Sequence, residues 1–397
     1  MVYISNLFRL SMSSNNAKQT PPINWLPVIM FSVSTLILLT LVPWYGVQYG
    51  YNTSAVVAFL AITWLTGMSI TGGYHRLWSH NAYEAHPILR VWYALWGATA
   101  MQNTILDWCS GHRVHHRHCD DVDLDPYSAK RGLWFSHMGW MLRKYPSGQV
   151  NFDNVKNLMS DPIVMWQYKY YTPITLGMNF GIPIILGLIF GDVIGMLLLA
   201  GVARLVVAHH ITFFINSIAH KWGSQPYTDE NTARDNTFFA FLTHGEGYHN
   251  YHHIFQTDYR NGIRWFHWDP TKWFIKACSW VGLTKNLKKV PDFKIQRAKI
   301  KMQFKRANAQ LAKASSSEPF ADNIEQLKLT LEKEYEDFKK LLNEWTELQT
   351  GKYQQTCKTL QEKWQGGSIH ARFKEIEDGL RLQNQRLQQF NAQFSFT

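Results

Sequence analysis

Cysteine is scarce and scattered: Cys109, Cys119, Cys278 and Cys357 are the four in 397 residues. None belongs to a C-x-x-C pair. That excludes iron–sulfur and zinc-finger spacings and a disulfide framework, and it points to a reducing compartment. No G-x-G-x-x-G loop follows a strand pattern, and there is no P-loop. Gly245-Glu246-Gly247 lacks the central serine of a hydrolase elbow. Residues 1–22 are polar and the first apolar run is too long for a signal h-region, so no secretory signal is expected.

What is present is apolar and basic. The net charge is +11 and aromatics make up 15%. A mean hydropathy of −0.24 would suit a soluble protein. The average hides a segregation: long apolar runs fill the first two thirds, and Lys, Glu and Gln dominate after about Pro291. Spanning a bilayer takes about 20 apolar residues. Four runs qualify, at about 25–45, 55–73, 171–190 and 193–215. The fourth holds Arg204, His209 and His210, which are costly in lipid, so part of it should face protein. Segment 88–106 is apolar, but Trp92, Tyr93 and Trp96 suit an interfacial helix better. The loops at 46–54 and 191–192 carry no Lys or Arg, whereas Arg9, Lys18, Arg76, Arg113, Arg117, Lys130, Arg131, Arg143 and Lys144 crowd the other connections. The positive-inside rule then puts both termini and the middle segment in the cytosol.

Three histidine clusters fall on that cytosolic side: His75 and His80 in HRLWSH, His112, His115 and His116 in HRVHH, and His249, His252 and His253 in HNYHH. Imidazole is the commonest metal-ligating side chain. Positions i, i+3 and i+4 share a helix face, so each H-x-x-H-H group can aim three imidazoles at one point. Eight histidines exceed what one ion can use; two metals, or one crowded site, is the natural reading. In NSIAH, Asn216 and His220 share a face and extend the set, with Asn216 binding directly or through water. Iron, copper, zinc and nickel all accept imidazole, and spacing does not choose among them. Asp121, Asp123, Asp125 and Glu246 can orient ligating rings. His86, His118, His137, His209, His244, His267 and His370 have no spacing argument.

HRLWSH, HRVHH, DLDPYSAKRGLWFSHMGW (123–140), NSIAH, QPYTDENTARDN (225–236), GEGYHNYHH (245–253) and DYRNGIRWFHWDPTKW (258–273) together resemble the membrane-bound fatty-acid desaturases, stearoyl-CoA or delta-9 branch, over about residues 24–290. The resemblance implies two Fe2+ ions held by His75, His80, His112, His115, His116, His220, His249, His252 and His253, with Asn216 ligating through water. It implies O2-dependent removal of two hydrogens from a saturated long-chain acyl group. Gln102 and Asn103 match the head-group site, and His210 a position near the metals. Ser110 and Gly111 replace an Arg-Asp pair that helps hold coenzyme A in animal members, so acyl-CoA is the expected substrate and an acyl lipid the alternative. Arg131, Arg143, Lys144 and Arg264 could attract either head group. No His-Pro-Gly-Gly haem signature occurs, so an external ferredoxin or cytochrome b5 with its reductase is expected.

Beyond Pro291, Ile324, Leu327, Leu331, Phe338, Leu341, Trp345 and Leu348 follow a heptad that Glu334 interrupts, and Ser315–Ser317 and Gly366-Gly367 read as breaks. Two or three amphipathic helices should pair with each other, a second subunit or the membrane surface. The expected protein is thus an all-α integral membrane protein with four spans in two hairpins. Its segments are a polar 1–23, a membrane domain 24–290 with a cytosolic dimetal cap, and a helical extension 291–397. Membrane lipid is an expected partner and nucleic acid is not. The expected location is a bacterial cytoplasmic membrane, with the endoplasmic reticulum as the alternative. Rival functions are a histidine-box hydroxylase or alkane monooxygenase, and a membrane metal sensor.

Overall fold

Long apolar helices satisfy every backbone group internally, which a bilayer demands. The computed structural model describes residues 20–314, 321–356 and 366–393. Among the described residues, four helices are long and apolar enough to cross a membrane: Trp25–Gln48, Thr53–Ser79, Tyr171–Phe190 and Val193–His220, at the expected places. Arg9, Lys18 and the Ser315–Ser317 break lie outside the described residues. The chain forms two units: the described residues up to Ser79 with Pro87–Ile218, and His80–His86 with the described residues from Ala219 onward.

In the first unit, α1 (Trp25–Leu39) and α2 (Leu41–Gln48) make the first span. The helix steps at Thr40 because Pro43 has no N–H for the Leu39 carbonyl. The second span runs from α3 (Thr53–Met68) into a π-helix, Ser69–Ser79. α4 (Pro87–Ala98) has only 12 residues, too short to cross, in keeping with the interfacial reading of this segment. It packs closely on the π-helix: a Cβ on Gly97 would run into the Tyr74 ring, and one on Gly73 would lie 2.7 Å from Tyr93 Cβ. α5 (Ile105–His118) starts at a reciprocal cap, in which the Asp107 N–H donates to Thr104 Oγ1 at 3.1 Å and the Thr104 hydroxyl to Asp107 Oδ2 at 2.6 Å. Three short helices follow, α6 (Leu133–His137), α7 (Lys156–Met159) and α8 (Pro162–Lys169).

The third span joins α9 (Tyr171–Leu176), a π turn and α10 (Ile182–Phe190); the fourth joins α11 (Val193–Met196), a π segment and α12 (Arg204–Ser217). Between them Gly191 takes φ +76, the left-handed C-cap conformation, and Asp192 Oδ1 accepts the Gly195 N–H at 2.7 Å. Spans two and four meet through Ala55, Ala58, Ile62, Met196 and Ala200; small residues let the two backbones approach. Arg204 is fully buried. Its guanidinium donates to Ala200 O (3.1 Å), Thr99 O (2.7 Å) and Asn179 Oδ1 (2.7 Å). The fourth span therefore turns its costly residues to protein, His209 included, which meets Ala100 O at 2.7 Å.

In the second unit, β1 (Glu84–Ala85) pairs antiparallel with β2 (Thr284–Lys285), Glu84 opposite Lys285. Asn236, through its side chain, caps α13 (Thr237–Leu242). α14 (His249–Ile254) carries the third histidine box. Asp269 and Pro270 start α15 (Pro270–Trp280) as N-cap and first helical residue. α16 (Asp292–Ala314), α17 (Ala321–Thr356) and α18 (Gly366–Gln393) then share a core that includes Phe293, Ile300, Phe304, Leu331, Phe338, Trp345, Ile376 and Leu380. The heptad seam is thus filled within the chain. Glu334 interrupts it because it accepts from Arg386 (2.9 and 3.0 Å) and Gln383. The side chains of Ile324 and Leu327 lie outside the described set.

Arg204→Met keeps most of the volume and removes all three bonds. It should cost about 1–3 kcal/mol, since three buried acceptors lose a charged donor. Thermal unfolding in detergent checks this; an unchanged midpoint would mean the three bonds contribute nothing net.

Candidate metal centre

In the first unit the second box is presented by α5 and His75 by the π-helix. The His75 and His116 rings each stand 4.6 Å from the His112 ring. Ligand nitrogens of His75, His112 and His116 lie within 4.8 Å of one another. Trp108, one turn before His112, stacks on that ring at 4.8 Å. His115 turns elsewhere: its Nδ1 meets Asp125 Oδ1 at 2.9 Å. Asp125 is itself fixed, accepting the backbone N–H of Asp120 (2.9 Å) and of Tyr127 (3.1 Å). A carboxylate on Nδ1 holds the proton there, so Nε2 carries the lone pair that a metal needs. The Tyr127 hydroxyl stands 3.4 Å from His112 Nδ1. Burial, and then the Asp125 charge, hold the Tyr127 phenol well above its ordinary pKa, so it stays a donor.

In the second unit His220, His249 and His253 converge. His249 Nε2 lies 3.0 Å from His220 Nε2 and 3.1 Å from His253 Nε2. The Thr232 hydroxyl meets His220 Nδ1 at 2.9 Å. The His80 and His252 rings form a separate pair, 4.7 Å apart. A neutral imidazole offers one N–H and one lone pair. Three Nε2 atoms facing one point cannot satisfy each other by hydrogen bonds alone; a shared cation is what such a donor set takes. The histidines therefore fit a metal, and each unit sorts them into two groups.

That sorting corrects one expectation. Neither H-x-x-H-H box aims all three rings at one point. The i, i+4 pairs (His112 with His116, His249 with His253) stay together, and His115 and His252 turn away. Positions i+3 and i+4 diverge by about 100° around a helix, enough to send adjacent rings to different partners. His75 and His80 are five residues apart, the hydrogen-bonding period of a π-helix rather than an α-helix.

The other expected residues are placed as follows. Asn216 is half-buried in the last turn of α12. The Gln102 side chain donates to Thr212 Oγ1 (3.0 Å) and accepts from the Trp108 indole (3.3 Å), while Asn103 is exposed with φ +71. Asp125 reaches an imidazole; Asp121 instead caps its own turn through the Asp123 and Leu124 N–H groups, and Glu246 accepts from Asn261 at 2.8 Å. Ser110 Oγ donates to Asn151 O at 2.7 Å. Arg131 packs over the Phe135 and Tyr145 rings, and Arg143 donates to Pro21 O, so both act as structural ties. His210 Nδ1 meets His137 Nε2 at 3.0 Å, and His137 Nδ1 meets Ser217 Oγ at 3.0 Å. The roles of Trp108, Tyr127, Thr232 and His137 were not anticipated. Trp108 had a detectable signal, one turn before His112; Tyr127, His137 and Thr232 lie in the motifs at 123–140 and 225–236, but no spacing ties them to a histidine box.

A model of the fatty acid desaturase family matches residues 51–279. The chain is 41% identical over 318 residues to the probable acyl-CoA desaturase of Schizosaccharomyces pombe, covering 80% of this chain and 64% of that one. It is 41% identical over 296 residues to acyl-CoA desaturase 1 of Saccharomyces cerevisiae, covering 73% and 57%. It is 33% identical over 278 residues to the sn-2 palmitoyl-lipid 9-desaturase of a Nostoc species, covering 68% and 93%. The chain thus spans about three fifths of the length of the two fungal relatives.

Asp125→Asn should lower metal affinity about 10–100-fold, because His115 loses the charge that fixes its tautomer. Metal analysis of the purified variant beside wild type reads this directly; equal loading after dialysis against a chelator would rule out that role for Asp125.

Proposed function

This chain belongs to the fatty acid desaturase family, and from that premise we propose that it introduces a double bond into a saturated long-chain acyl group, delta-9 in type. The convergence of His220, His249 and His253 through their Nε2 atoms carries this reading. A methylene inside an acyl chain has no acidic proton, so side-chain base catalysis does not serve. The balanced reaction consumes the acyl CH2–CH2 unit, one O2, two electrons and two protons, and yields CH=CH and two waters.

The proposed cofactor is a pair of iron ions on the nine histidines, with Asn216 contributing through water; when bound, they supply the O2-activating redox chemistry. The protein's own part is positional. Asp125 and Thr232 hold the His115 and His220 rings in one orientation, and Trp108 braces His112. Gln102, held between Thr212 and Trp108, and Asn103 beside it serve the head-group end of the substrate. Acyl-CoA is the proposed substrate, supported by the two fungal relatives being acyl-CoA desaturases; an acyl lipid is the alternative, as in the palmitoyl-lipid desaturase of Nostoc. Regioselectivity then follows from how far along the chain the head-group anchor sets the reacting carbons.

Two electrons per turnover come from a separate ferredoxin or cytochrome b5 with its reductase. The chain resides in a membrane through its four spans. Its two 41%-identical relatives are fungal, which favours the endoplasmic reticulum and gives no support to the expected bacterial cytoplasmic membrane. The heptad seam is occupied inside the three-helix bundle, so self-association would have to use another surface.

Expressed in a desaturase-deficient yeast, the wild-type chain should yield a new monounsaturated acid and His252→Ala none. A hydroxylated acid would instead assign the chain to the hydroxylases. Equal product from His252→Ala would remove His252 from the chemistry. Metal binding with no oxygen-dependent product would leave the sensor.

A further inference from the structure

Two short helices of the second unit turn aromatic faces outward. α15 buries Thr271, Ile275 and Cys278 and exposes Trp273, Lys276, Ala277 and Trp280. Those four lie at i, i+3, i+4 and i+7, one stripe of a helix. α13 exposes Phe238, Phe241 and Leu242. The two faces are continuous. The Phe241 ring lies 4.8 Å from Trp268, Trp268 lies 5.5 Å from Trp273, and the Trp273 indole donates to Trp265 O at 3.3 Å. Trp265, 84% exposed, and Phe266 extend the surface, and Trp280 is 75% exposed.

The charge of this surface has one sign. Arg264 and Lys276 are exposed. The carboxylates of the same segments, Glu246 and Asp269, are buried. Asp269 accepts N–H bonds from Asn261, Gly262 and Lys272, and Glu246 accepts from the Asn261 amide.

We infer that this face seats in the headgroup–acyl boundary of the bilayer, with a preference for anionic lipid. Indole and phenyl rings partition to that boundary, and Lys and Arg keep their heads in water while their stems lie along apolar neighbours. A contiguous exposed apolar surface needs an occupant, and four spans keep this chain at a bilayer permanently. An acidic protein would fit the charge but would cover the aromatic rings only during encounters. The inference is independent of the desaturase reading.

The test is a nitroxide placed by Ala277→Cys in full-length protein reconstituted into liposomes, on a Cys357→Ser background. Burial raises the pKa of the Cys109, Cys119 and Cys278 thiols and makes them slow to label. A label at Glu347→Cys, exposed on α17, is the aqueous reference. The expected result is more collision with O2 and less with a water-soluble nickel chelate at 277 than at 347. The contrast should be larger with phosphatidylserine present than in phosphatidylcholine alone, and smaller in Trp273→Ser/Trp280→Ser. Equal accessibility at 277 and 347 in both lipids overturns the membrane seat. Protection that appears only on adding an acidic redox protein overturns it in favour of a protein dock. Equal contrast in the two lipids overturns the anionic preference.

Discussion

Buried imidazole nitrogens that face one another are the arrangement on which the rest of this structure depends. Polar groups out of water cost free energy unless each has a partner. His220, His249 and His253 present three Nε2 atoms to one point, and a cation resolves that geometry where hydrogen bonds cannot. The surrounding groups then read as devices for holding rings still. Asp125 is anchored by two backbone N–H groups before it reaches His115, and Thr232 fixes His220 from twelve residues away. Trp108 braces His112 from its own helix.

The membrane part follows the same economy of polar groups. Arg204 sits fully buried in a span, its charge shared by two carbonyls and an amide from three segments. Those bonds tie the fourth span to the third and to the end of α4, while Ala55, Ala58 and Ala200 let spans two and four approach closely. The π-helical stretch at Ser69–Ser79 carries His75 and depends on Gly73 and Gly97 for its contact with α4. A wider helix in a span is tolerated because its backbone still pairs within itself.

The second unit joins the helix of the third histidine box to an appendage beyond residues 51–279, the stretch that matches the family. Ile295 on α16 packs with Tyr227 and Tyr251, and Tyr251 lies between His249 and His252 on α14. The Tyr251 hydroxyl donates to Asp258, which also takes the Val290 N–H and pairs with Arg260. The extension is therefore packed against the backbone that carries the third histidine box, rather than hanging free of it.

Much of this was legible in the chain itself. Long uncharged runs determine spans because a bilayer core admits little else, and the i, i+4 spacing of His112 with His116 and of His249 with His253 determines a shared helix side because α-helical geometry is local. The heptad from Leu331 to Leu348 likewise announced helices. What the sequence could not decide was partnership across distance. It could not say that His115 and His252 part from their own boxes, or that the seam closes within the chain. Nor could it say that Asp125 orients a ring while Asp121 caps a turn. Helix period fixes the direction of a side chain relative to its own axis. Which group waits there is decided by how separate segments pack, and that is written only in the tertiary structure.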